Sequence, residues 1–100
     1  MNRPRKLSAE DITLHLIPLP HWRVQNEALV RECRFPSYLA GADFTLAVAK
    51  ASEAMNHHPD LHLGWRKVSI TLTTHDAGGI TTLDFALAER IEALLAPSKT

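Results

Sequence analysis

Apolar and polar residues change their spacing several times along this chain, and each change marks a new element. Ser8-Ala9-Glu10-Asp11 reads as a capping box, the serine oxygen accepting from the backbone three residues on while Asp11 reaches back, so a short helix is predicted over Ala9–Leu16. Pro18 and Pro20 stop it, since proline lacks an amide donor and forces its predecessor into extended geometry. Residues 22–25 and 28–35 alternate apolar with polar, the period of a strand with one wet face, around a turn at Asn26-Glu27. Pro36-Ser37 opens a long helix, residues 38–56, on which Phe44, Val48, Ala51 and Met55 form an apolar stripe that Tyr38, Ala42 and Ala49 widen. Pro59 ends it.

A short extended run at 61–63 leads past Gly64 into the clearest strand, where Val68, Ile70 and Leu72 alternate with Ser69, Thr71 and Thr73. The turn that follows, 74–79, carries Gly78-Gly79, a pair that permits positive backbone dihedrals. Thr81-Thr82-Leu83-Asp84 is a second capping box, and the last helix runs to about Leu95, burying Leu83, Leu87, Ile91 and Leu94. Pro97 and a polar tail finish the chain. The order α-β-β-α-β-β-α predicts an α+β fold with the helices on one face of an antiparallel sheet. Its exposed face or edge is a natural oligomer contact.

With 100 residues the chain is expected to be one domain, residues 1–100, whose basic start, residues 1–6, frays. That size favours a shallow site, or one shared with another subunit, over a deep private cleft. Eleven basic residues balance eleven acidic ones, so no net field draws the protein to nucleic acid or a membrane surface. No apolar run approaches the roughly 20 residues of a membrane helix. The single cysteine, Cys33, lies in an apolar-alternating stretch and reads as a buried small hydrophobe; with no partner for a disulfide, the chain points to a reducing compartment such as the cytoplasm.

Candidate chemistry gathers at the predicted element ends. His57 and His58 follow Glu53 at the carboxyl end of the long helix, His75 follows the best strand, and Asp84 opens the last helix. Histidine titrates near neutral pH, so the cluster suggests proton transfer, although any one surface histidine is commonly idle. Glu53 lies one turn before His57 and can hydrogen-bond that ring, or is a solvated helix residue. Asp84 serves a capping box whether or not it also supports a site. Trp65 is either a wall for a flat ring or core filler after Gly64. A metal site competes for three histidines, but HExxH is absent and His58 and His62 have helical spacing only across Pro59. No serine sits in a nucleophile elbow, and Cys33 has no sequence neighbour to activate it.

These residues resemble the pterin-4a-carbinolamine dehydratases. The pattern Glu53-x3-His57-His58-Pro59, then Trp65 at an aromatic position, His75 and Asp84, is similar to that family's signature in type and spacing. The likeness runs from about Leu7 to Leu95: Trp22 resembles an early family tryptophan, Arg34-Phe35 and Phe44-x3-Val48-Ala49 echo the strand-to-helix segment, and Thr74-His75-Asp76-x-Gly78-Gly79 resembles the second histidine loop. Where the family commonly has a Trp and two Asn after its His-His-Pro element, this chain has Leu61, Leu63 and Arg66.

The resemblance implies a four-stranded antiparallel sheet with three helices, a homodimer or homotetramer, and a site without metal or cofactor. It implies a hydro-lyase that removes water from 4a-hydroxytetrahydropterin to give quinonoid dihydropterin, in recycling tetrahydrobiopterin. His57 and His75 would transfer protons, His58 would hold the pterin, Asn56, Thr73, Thr74, Asp76 and Trp65 would line the pocket, and Glu53 and Asp84 would orient the histidines. Which histidine is the acid stays open. Some relatives serve instead as dimerisation cofactors for transcription factors or as assembly chaperones, which is the alternative role.

Overall fold

Strict alternation in the last strand leaves Val68, Ile70 and Leu72 without solvent exposure while Ser69 and Thr71 stay half-open. That strand lies inside the sheet, and the rest of the fold is built on it. The computed structural model describes residues 4–96. Its elements are α1 (Ala9–Leu16), β1 (Arg23–Gln25), β2 (Ala28–Arg34), α2 (Tyr38–Met55), β3 (Asp60–Gly64), β4 (Lys67–Leu72), a 3₁₀ turn (His75–Ala77) and α3 (Thr82–Leu95). The four strands form one antiparallel sheet in the order β1-β2-β4-β3, so the expected α+β architecture holds.

Register explains which residues face inward. Leu29 and Cys33 of β2 pair with Leu72 and Val68, and Leu61 and Leu63 of β3 pair with Ile70 and Val68. Against this face pack Phe44, Val48 and Ala51 of α2 and Phe85, Leu87, Ala88 and Ile91 of α3, with Ile12 and Leu16 of α1 at the margin. Arg31 pairs with Ile70 and therefore also sits on the inner side, where its Nε donates to Glu92 at 2.6 Å. The same carboxylate accepts from Trp22 Nε1 at 2.8 Å, which anchors a buried tryptophan placed just before β1. A charged pair thus stands where alternation alone predicted an apolar position.

Two expectations about the helical stripes are corrected. Tyr38 and Ala49 are exposed, because the buried stripe of α2 is narrower than its apolar composition and runs through Gly41, Phe44, Val48, Ala51 and Ser52. Leu94 is exposed as well, its place in the core being taken by Phe85 and Ala88 one face around α3. The hairpin turn is as expected: Asn26 and Glu27 have φ of 52° and 60°, the doubly left-handed turn whose twist suits a tight hairpin. Cys33 is buried, and that burial pushes its thiol pKa up.

Of residues 1–6, expected to fray, 1–3 lie outside the described residues. Lys6 is held: its Nζ meets Glu27 Oε1 at 2.6 Å, and its aliphatic stem lies across Gly79, where a Cβ would stand 2.9 Å from Lys6 Cε. The Lys6 ammonium, by hydrogen bond and by charge, holds the Glu27 carboxyl below the usual 4.5. Leu7 N donates to Ile80 O at 2.8 Å. The tail from Pro97 also falls outside the described residues. Among those residues, no helix is long and apolar enough to cross a membrane.

Candidate active site

The end of α2 decides where the two adjacent histidines go. Asn56 adopts a left-handed conformation with φ of 50°, a geometry that asparagine tolerates better than most residues. Its own N–H returns to Glu53 O at 3.1 Å, and the His57 N–H returns to Ser52 O at 3.1 Å. The helix therefore ends at Asn56, ahead of Pro59, and the reversal sends His57 inward and His58 outward. His57 is buried, and its Nε2 lies 2.6 Å from Asp84 Oδ1. His58 is exposed and pairs through Nε2 with Glu53 Oε2.

This corrects one expectation: Glu53 orients His58, and the partner of His57 is Asp84. Helical spacing offered Glu53 to His57, but His57 no longer belongs to the helix whose spacing was being counted.

Asp84 is fully buried and works on both sides of its carboxylate. Oδ2 accepts the Thr81 backbone N–H at 2.9 Å and the Thr74 hydroxyl at 2.8 Å, while Oδ1 faces His57. Since Thr74 donates to Asp84, the 2.8 Å contact between Thr74 Oγ1 and Thr81 Oγ1 is donated by Thr81. Thr81 Oγ1 in turn accepts from Leu83 N at 3.2 Å. The chain of donors has one direction. A helix cap and a histidine clamp are thereby a single structure. Thr81 was read only as a cap from sequence; its place beside Asp84 is what adds it to the site.

The second histidine arrives from the other side. Past β4, Thr74 and Gly79 form an isolated antiparallel bridge that closes the 3₁₀ turn bearing His75. Gly78 supplies the left-handed residue, φ 77°, and Gly79 the close approach to Lys6. Thr73 Oγ1 donates to Glu27 O at 3.2 Å, tying this loop to the β1–β2 turn.

Asn56, His57, His58, Thr73, Thr74, His75 and Asp76 line one pocket of about 260 Å³. That volume is a little under the roughly 300–1,000 Å³ common for small-molecule sites. All three histidines thus share one cavity, with Asp84 behind His57 and Glu53 beside His58. Trp65 is not among its walls. It lies in the β3–β4 turn, at the far end of β4, and is 76% exposed, so it is neither a wall of this cavity nor core filler. What the cavity offers is one histidine fixed by a buried carboxylate, two exposed ones, and hydroxyl and amide groups around them: groups able to act as acids and bases around one space.

Comparisons with known proteins converge. A family model described as pterin 4 alpha carbinolamine dehydratase matches residues 5–94. A protein of Chloroflexus aggregans, provisionally named pterin-4-alpha-carbinolamine dehydratase, is 44% identical over 91 residues, covering 90% of this chain and 97% of its own. The crystal structure of a transcriptional coactivator/pterin dehydratase from Brucella melitensis superposes with a TM-score of 0.88 at 26% identity, over 92% of this chain and all of that one. A pterin dehydratase-like protein described as a RuBisCO assembly factor in the alpha-carboxysome superposes with a TM-score of 0.64 at 32% identity, over 77% of this chain and 92% of its own.

Proposed function

The chain belongs to the pterin-4a-carbinolamine dehydratase family, and we propose that it dehydrates a 4a-hydroxytetrahydropterin to the quinonoid dihydropterin in its histidine pocket. The observation that carries this reading is the buried His57–Asp84 pair opening on the cavity that His75 also lines.

In the reaction the C4a–O bond breaks, the hydroxyl leaves as water after taking a proton, and nitrogen 5 gives up its proton so that its electron pair forms the C4a=N5 bond. No electrons are gained or lost overall, so the step needs one acid and one base. With its Nε2–H held by Asp84, the His57 ring keeps Nδ1 as the nitrogen that exchanges a proton. We assign His57 as the base at nitrogen 5 and His75 as the acid at the departing hydroxyl. His58, exposed and steadied by Glu53, holds the pterin, with Asn56, Thr73, Thr74 and Asp76 around it. The reading carries with it a homo-oligomer, as the resemblance implies, and a cytoplasmic setting, in keeping with the single buried thiol.

The test is formation of quinonoid dihydropterin from the carbinolamine. Wild-type protein exceeds the spontaneous rate, and His57→Ala and His75→Ala each lose about 10²–10⁴-fold, the usual share of one general acid or base. Wild-type protein that leaves the spontaneous rate unchanged overturns the proposal.

A second reading draws on the relative described as a RuBisCO assembly factor and on the one described as a coactivator. There the chain acts as a binding module for another protein, and replacing all three histidines leaves capture of that partner intact.

A further inference from the structure

At the opposite end of β4 from the histidine pocket lies a second cavity of about 210 Å³, lined by Arg34, Phe35, Trp65 and Arg66. Its floor is fixed. Phe35 N donates to Arg66 O at 3.0 Å, and Arg66 Nε donates back to Phe35 O at 3.3 Å. The Arg66 guanidinium is carried over the Trp65 ring, 5.2 Å from its centroid. One face of the indole is thus covered by a cation.

Charge in this corner is not balanced. Glu32 is shared between two cations, Arg34 Nη2 and Lys67 Nζ, each 3.4 Å from one of its oxygens. Among the described residues no carboxylate pairs with Arg66. Three cations therefore stand against one anion. Arg66 also has a φ of 58°, the left-handed turn position that glycine and asparagine fill most easily. Turn geometry gives no reason for an arginine there, nor does core packing give a reason for an exposed tryptophan beside it.

We propose that this cavity is a second ligand site, taking a small anion that carries a flat aromatic ring, either a nucleoside monophosphate or an aromatic carboxylate. The ring packs against the indole within the cavity, and the anionic arm meets Arg66 and Arg34, whose planar forks match phosphate and carboxylate. The site is independent of the histidine pocket and of any reaction there.

The protein contains its own reporter. Of its two tryptophans, Trp22 is 4% exposed and Trp65 is 76% exposed, so a bound ring quenches Trp65. The full chain is titrated with adenosine monophosphate, adenosine, inorganic phosphate and naphthoate. Expected is saturable quenching by adenosine monophosphate or naphthoate with a Kd of about 1 mM or tighter. Adenosine alone binds about tenfold more weakly, and phosphate alone fails to compete at similar concentration. Whichever of the two ring-bearing anions binds tighter identifies the source.

Arg66→Asn, which suits the left-handed turn, keeps or raises the thermal midpoint yet weakens binding about tenfold or more. Four results would each overturn the proposal. Quenching does not saturate, or it is undiminished in Arg66→Asn. It vanishes in His57→Ala, which puts the ligand in the other pocket. The emission ignores all four probes and shifts with protein concentration, which means a second copy covers Trp65.

Discussion

Two neighbouring histidines meet their carboxylates under opposite conditions. His57 and Asp84 close to 2.6 Å with side chains only 10% and 0% exposed, whereas His58 and Glu53 meet with 55% and 76% exposed. In the first pair water cannot take over when a partner is lost, so each group depends on the other and on Thr74 and Thr81 behind it. In the second, solvent screens the attraction and both side chains can swing. The difference separates two tasks. Under the proposed dehydratase reading, the group that presents a fixed nitrogen to the reacting atom is the buried and locked one, while the group that closes on an arriving ring is left adaptable.

The sharpest way to break the buried half is Asp84→Asn. The carboxylate accepts on both oxygens, from His57 on one side and from Thr74 and Thr81 on the other. An amide has only one oxygen. With its NH₂ toward Thr74 and the Thr81 N–H it faces two donors, and with its NH₂ toward His57 it is satisfied only by the ring's other tautomer, which moves the proton from Nε2 to Nδ1, so the variant loses up to about 3 kcal/mol. Urea unfolding measures this loss. Wherever the variant still folds, its dehydratase rate falls with kcat rather than KM, because the reacting nitrogen of His57 is no longer held. Unchanged stability would mean that Asp84 is not the hub of the site.

Thr74→Val is the smaller intervention on the same side. It keeps the shape but removes the donor to Asp84 Oδ2 and the acceptor for Thr81, while His57 keeps its contact to Oδ1. The expected cost is about 1–3 kcal/mol. For a chain of this size that lowers the thermal midpoint by about 4–8 °C per kcal/mol. The rate falls less than in Asp84→Asn, because Oδ1 still orients the ring. A thermal midpoint that does not move would break the chain of donors inferred here.

How much of this contrast is legible in the sequence follows from which interactions are local. The capping box at Thr81–Asp84, the alternation within β4 and the turn at Asn26-Glu27 depend on residues a few positions apart, and local pattern finds them. His57–Asp84 joins residues 27 apart. Spacing on a helix instead offered Glu53 to His57, and the left-handed Asn56 cancels that choice by turning the chain first. Asparagine just before a histidine pair and a proline is a signal for such a stop, and it was available. Arg31 facing the core was not legible, since the alternation that assigns it inward also calls for an apolar residue, and Glu92 supplies the answer from a helix 61 positions away. Trp65 was misplaced for a related reason: closeness in sequence to His57 and His58 says little once β3 and β4 carry the chain to the far end of the sheet and back.

The exposed half of the comparison makes the smallest prediction and the one most easily isolated. Glu53→Gln removes the charge next to His58 but keeps a side chain of the same length able to hydrogen-bond the ring. An exposed pair of this kind is worth about 0.2–1 kcal/mol, so the thermal midpoint shifts by only a few degrees and kcat stays near the wild-type value. In the proposed reaction the effect appears in KM, rising a few-fold, because Glu53 pairs with His58 and leaves the His57–Asp84 pair untouched. Raising the salt concentration separates this pair from the buried one. With a Debye length of about 3 Å at 1 M, the wild-type and Glu53→Gln values of KM converge, while the deficit of Asp84→Asn persists. A Glu53→Gln enzyme that loses kcat as heavily as Asp84→Asn would place His58 among the proton-transferring groups, and the division between locked and adaptable histidines would have to be redrawn.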